Sequence, residues 1–134
     1  MEIHKSQEDY LEAILVLSKK GPVRAVDVAE ALGFSRPSVS VAMKNLREGG
    51  LVAAMPDEGI VLTEDGRAIA ETMYARHVFI REWLVGLGVD EKTAAIDACN
   101  MEHVISGSSF DAIVRSVRGA AADAKPIVNG HSDR

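Results

Sequence analysis

Apolar residues recur along this chain at helical spacing in six stretches, interrupted once by two short apolar runs. Tyr10, Leu11, Ile14, Leu15 and Leu17 form a stripe that predicts a first helix, N-capped at Ser6. Lys19 and Lys20 suit the negative end of its dipole, and Gly21-Pro22 stops it. Val26, Val28, Ala29 and Leu32 predict a short second helix ended by Gly33. A third starts at SRPSVS, with Ser35 as N-cap and Pro37 in the first turn, where its missing N–H costs nothing. Val39, Met43 and Leu46 face inward, and Gly49-Gly50 closes that helix. LVAAM and IVLT flank MPDEG and predict a β-hairpin. Thr63 caps a long fourth helix, EDGRAIAETMYARHVFIREWLVGL, which Gly86 and Gly88 end. Asp90 caps a fifth, EKTAAIDACNMEHVIS. Ser106 to Ser109 reads as a loop, and FDAIVRSVRGAAA as a last helix. The polar tail after Asp123 is expected to fray.

Helix, helix, short turn, helix and hairpin is the layout of a winged helix-turn-helix. The fold class expected is therefore mainly α: an N-terminal winged helix-turn-helix over residues 1–71, an all-helical dimerisation domain over 72–122 and a flexible tail over 123–134. The third helix presents Ser35, Arg36, Ser38, Ser40, Val41, Lys44 and Arg47 away from its apolar stripe. Small hydroxyls and Pro37 let the backbone approach phosphates and thymine methyls, and Lys44 and Arg47 can pair with phosphates. No acidic residue stands between Ser35 and Arg47. Asp57 and Glu58 at the hairpin tip would be repelled by a phosphate backbone, so little wing contact is expected.

Composition qualifies this picture. The 134 residues are 47% apolar and only 4% aromatic, so aliphatic side chains must do most of the packing. The net charge of −5 speaks against indiscriminate nucleic-acid binding by the whole molecule. No long apolar run predicts a membrane span, and MEIHKSQEDYLE lacks the apolar segment of a signal peptide. A single cysteine, Cys99, cannot form an internal disulfide and fits a reducing cytoplasm.

The candidate chemistry lies in CNMEHVIS. Cys99, Glu102 and His103 stand at i, i+3 and i+4, on one face of a helix. Asp9 and Glu12 stand at i, i+3 on the first helix, and His77 lies on the fourth. Together they offer six oxygen, nitrogen or sulfur donors. Manganese and iron accept mixed carboxylate and imidazole ligands, whereas a thiolate favours softer ions. Each residue also has a plainer reading: Asp9 as a helix-dipole partner, Glu12 as a solvated carboxylate, His77 as a packed interface residue, Cys99 as a small buried hydrophobe.

EDYLEAI, VSVAMKNLREGGLV, LTEDG, ARH and CNMEHVIS, in that order, resemble the diphtheria toxin repressor family. The closer resemblance is to its short manganese-regulator branch, which lacks an SH3-like domain, and it covers roughly residues 6 to 118. It implies a cytoplasmic homodimeric repressor that binds operator DNA when loaded with Mn2+ or Fe2+, one or two ions per subunit, and controls metal-uptake genes. It also implies ligand roles for Asp9, Glu12, His77, Glu102 and His103. Cys99 departs from the manganese branch, which has glutamate there, and Asp9 departs from the iron type, which has methionine. Arg81 and Ala95 stand at two ancillary iron-type ligand positions and are not usual ligands.

The mechanism expected is that a cation relieves repulsion among Asp9, Glu12 and Glu102 and ties the two halves together. The recognition helices of a dimer would then sit ~34 Å apart, one turn of DNA. The apolar residues Trp83, Leu84, Ile96, Val104, Ile105, Phe110, Ile113, Val114 and Val117 are expected at the dimer interface. One rival is a metal-independent winged-helix regulator that senses oxidants through Cys99. A metal-dependent hydrolase with Glu102 as base is the other; no HExxH, phosphate loop or nucleophile elbow supports it.

Overall fold

The computed structural model describes residues 5–124, with side chains to residue 120. Helix α1 (Lys5–Ser18) buries Tyr10, Leu11, Ile14 and Leu15, which leaves Glu8, Asp9 and Glu12 along its flank. It already runs from Lys5, so Ser6 lies inside it and is not its cap. Helix α2 (Ala25–Leu32) starts where the Arg24 N–H donates to the Asp27 carboxylate at 2.9 Å. Gly33 ends it with φ +72°, a left-handed conformation that glycine adopts without steric cost. Helix α3 (Arg36–Glu48) follows, with the Ser35 hydroxyl accepting the Ser38 N–H as expected. Val39, Met43 and Leu46 are its buried face.

The hairpin is β1 (Val52–Met55) and β2 (Gly59–Leu62), antiparallel, with Val52 opposite Leu62 and Met55 opposite Gly59. Gly59 has φ +73°, and a Cβ there would collide with the Val23 carbonyl, which accepts the Ile60 N–H at 2.9 Å. The wing is thus held to the α1–α2 connection by backbone contact that only glycine permits.

Helix α4 (Glu64–Gly86) is the spine of the molecule, ~35 Å long at 1.5 Å per residue. The Thr63 hydroxyl accepts the Gly66 N–H at 3.1 Å and donates to the Gly50 carbonyl at 2.7 Å. That double role fixes the start of α4 against the wing. Helix α4 packs on both α1 and α5 (Glu91–Val104). Asp90 caps α5, accepting the Thr93 N–H at 3.1 Å. The buried stripe of α5 is Ala94, Ala98 and Glu102, at i, i+4 and i+8. The two alanines let α5 lie close to α4, and the same stripe carries a carboxylate inward.

Helix α6 (Gly107–Ala124) starts earlier than the sequence suggests. Ser106 is its cap, not part of a loop: its hydroxyl accepts the Ser109 N–H at 3.1 Å and its carbonyl the Phe110 N–H at 2.9 Å. Arg76 of α4 donates to the carbonyls of Glu102 and Ile105 at 3.1 and 3.0 Å and lies over the Phe110 ring. Phe79 meets the same ring edge-on. These contacts seat α6 against α4. The expected tail over 123–134 begins inside α6, and residues 125–134 lie outside the described residues.

Candidate metal centre

The site forms where α1 and α5 meet alongside α4. Its centre is Glu102, a carboxylate with 0% exposure. One oxygen, Oε1, lies 3.0 Å from Nδ1 of His77 on α4. The other, Oε2, lies 3.3 Å from Nε2 of His103. Nε2 is in turn 2.8 Å from Oδ1 of Asp9 on α1. The second oxygen of Asp9 faces the Lys5 ammonium at 3.0 Å.

Two overlapping groups of donors result. Asp9, Cys99, Glu102 and His103 each bring one donor atom within 4.8 Å of the others, and Glu12, His77 and Glu102 do the same. Glu102 belongs to both. All six residues singled out as ligands from the sequence therefore converge, although they come from three helices. Cys99 is half-buried and free.

The electrostatics favour a cation. Burial is the largest cause that pushes the Glu102 carboxyl up to about 10; the facing Glu12 carboxylate and then Asp9 add to it. Burial also pushes the Cys99 thiol up, with Asp9 and Glu102 adding to the effect. A raised thiol holds less thiolate, which disfavours Cys99 as an oxidant sensor. Among the described residues, two buried atoms lack a hydrogen-bond partner: Oε2 of Glu102 and Nε2 of His103. Nε2 is close to Asp9 without the alignment of a hydrogen bond. Short separations without such alignment are what donors to one ion show: at ~2.1 Å bonds and octahedral angles, neighbours sit ~3 Å apart. The residues present thus fit a divalent cation, which they would hold by carboxylate oxygen and imidazole nitrogen.

Sequence reasoning missed three residues here. Glu8 places Oε1 2.7 Å from Nδ1 of His103, Lys5 pairs with Asp9, and Arg76 binds the Glu102 carbonyl. Spacing within one helix marks only Lys5, at i, i+4 to Asp9.

The helix α3 face is open. Ser35, Arg36, Pro37, Ser38, Ser40, Val41, Lys44 and Arg47 are all exposed, Val41 by 61%. Tyr10 of α1 meets Phe34, just before the α3 cap, edge-on at 5.7 Å between ring centroids.

Comparison with known proteins agrees with this geometry. Residues 2–60 match the family described as iron dependent repressor, N-terminal DNA binding domain. Residues 63–125 match iron dependent repressor, metal binding and dimerisation domain. The chain belongs to the iron-dependent repressor family. Among the family's curated members, the transcriptional regulator MntR of Escherichia coli is 37% identical over 114 residues, 83% of this chain and 74% of that protein. The HTH-type transcriptional regulator MntR of Bacillus subtilis is 34% identical over 109 residues, 81% of this chain and 77% of that one. The solved manganese regulator SloR superposes with a TM-score of 0.76 at 28% identity, covering 88% of this chain and 55% of that chain. The chain therefore spans about half the length of that structure.

Like the rest of the family, this chain is a mainly helical, metal-dependent transcriptional regulator with a DNA-binding part and a dimerisation part. Among the described residues, no helix is long and apolar enough to cross a membrane.

Proposed function

We propose that this chain is a cytoplasmic, non-enzymatic repressor whose dimer grips operator DNA when Asp9, Glu12, His77, Cys99, Glu102 and His103 hold manganese or ferrous iron. The observation that carries this reading is the pair of buried, unpartnered atoms, Glu102 Oε2 and His103 Nε2, facing Asp9 from another helix. We further propose the division into residues 1–71 and 72–122, with the boundary inside α4, so that one rigid helix serves both parts.

A bound divalent cation supplies positive charge that offsets the converging carboxylates. The remaining work falls to the chain. Asp9 and Glu12 fix the position of α1, and Glu102 and His103 fix that of α5. Helix α1 packs on α2 and α3, so its placement sets where the reading helix points. Arg36, Lys44 and Arg47 face outward to pair with phosphates, while Ser35, Pro37, Ser38, Ser40 and Val41 lie against the base edges. A ligand shifts a conformational equilibrium only by its differential affinity, so the donors must converge best in the DNA-competent arrangement.

Gel shift of the protein's own promoter region, run anaerobically with chelator and then single metals, tests this reading. Manganese or ferrous iron should restore a shift that chelator removes. Glu102→Ala and His103→Ala should lose that response while keeping the helical circular dichroism of the parent. A chelator-resistant shift, or full activation of either variant, contradicts the proposal.

A further inference from the structure

Glu8 belongs to neither group of donors, yet it makes a short contact to the centre. Its Oε1 lies 2.7 Å from Nδ1 of His103, across 95 residues of sequence. The His103 side chain is 1% exposed and that of Glu8 17%, so the contact is sheltered from water. A carboxylate oxygen accepts hydrogen bonds, so this contact is made by the tautomer that carries its hydrogen on Nδ1 and donates it to Glu8. A neutral ring then keeps its lone pair on Nε2. Nε2 is the atom 2.8 Å from Asp9 and 3.3 Å from Glu102, and among the described residues it has no hydrogen-bond partner.

We propose that Glu8 is the positioning residue of the metal centre: from α1 it fixes the tautomer and orientation of His103 on α5, so that Nε2 is offered to the cation. This rests on the reading of His103 as a ligand. Glu8 and Asp9 are consecutive on α1 and address opposite nitrogens of one imidazole. The ring is aligned by the DNA-reading half of the molecule before any cation arrives. Helix α1 therefore contributes to metal affinity twice, through Asp9 as a donor and through Glu8 as the partner that orients a donor. A mere staple between α1 and α5 would stabilise the fold without setting the ring's protonation pattern.

The test uses the full chain, stripped of metal. Manganese affinity is measured by calorimetry for the parent, Glu8→Ala, Glu8→Gln and His103→Ala. Nitrogen-15 NMR of the imidazole reads the His103 tautomer. Glu8→Ala should weaken manganese binding ~10–100-fold, the usual cost of losing an orienting carboxylate, and release the ring to mixed tautomers. Glu8→Gln keeps an acceptor oxygen and should restore both within a few-fold. Parent-like affinity in Glu8→Ala, or an unchanged tautomer with only lowered stability, overturns the inference. Should Glu8→Ala not fold, the parent spectrum decides: a His103 ring carrying its hydrogen on Nε2 overturns it. Parent-like affinity in His103→Ala instead refutes the ligand reading itself; weakened His103→Ala beside parent-like Glu8→Ala refutes only the role of Glu8.

Discussion

The two halves of this molecule are held together by different physics. The first closes on itself: a single apolar cluster runs from Tyr10 and Leu11 through Val28, Val39, Met43 and Leu46 to Ala70. The second buries little beyond Met73, Ile80, Ala94 and Ala98, and places a carboxylate at its centre. Both halves expose large apolar side chains, Val16, Phe34, Val41 and Met55 in the first and Val85, Leu87, Ile96 and Val104 in the second, so the contrast lies in what each buries. The lesson is that the reading half encloses its own apolar core, while the second half turns a carboxylate inward, at the place the proposed cation would complete. A sensor benefits from such incompleteness, because what completes it can control it.

Substitutions that separate stability from metal response sharpen this contrast. The largest effect is expected at Glu102. Glu102→Gln should cost manganese affinity more than the ~10–100-fold of an orienting partner, with unfolding midpoint retained or raised, because it removes a buried acid from among carboxylates. Calorimetric titration beside thermal denaturation measures both. Leu46→Ala should do the reverse, destabilising by ~2–5 kcal/mol as a fully buried leucine does, with manganese affinity unchanged. Equal loss of both properties in either variant would break the comparison.

The pH dependence follows from Glu102 next. Its carboxyl is raised to about 10 in the folded chain, well above the ordinary 4.5. Between those values the folded chain holds a proton that the unfolded chain releases, so stability contributed by this group is complete below the lower value and is lost as pH rises. The metal-free protein should therefore weaken from pH 6 to 9, by at most ~1.4 kcal/mol per pH unit for one proton, and Glu102→Gln should flatten the profile. Urea denaturation at a series of pH values checks this; a flat parent profile contradicts it. The smallest effect is expected at the surface of α3. Lys44→Ala should weaken operator binding modestly and reduce the salt dependence by ~0.9 in log–log slope, one phosphate contact, while manganese affinity stays that of the parent.

Much of this was legible in the sequence because it is local. The Ser35, Thr63 and Asp90 caps, the inward face of α3 and the cluster of Cys99, Glu102 and His103 each follow from spacing within one helix. What escaped depends on distant partners. Ser106 and Gly107 favour turns by themselves, and the contacts that seat α6 come from Arg76 and Phe79, about thirty residues upstream. Glu8 was silent because a carboxylate beside Asp9 gains meaning only once His103 is brought to it by the packing of α1 and α5 along α4. The pattern of apolar positions names the elements; tertiary packing decides which polar residues work together.

Anomalous diffraction from crystals of the manganese-loaded chain tests the central claim most directly. The account predicts an anomalous peak between α1 and α5, within bonding distance of Asp9, Glu102 and His103. A peak elsewhere, with Asp9 and Glu12 turned into solvent, would contradict it.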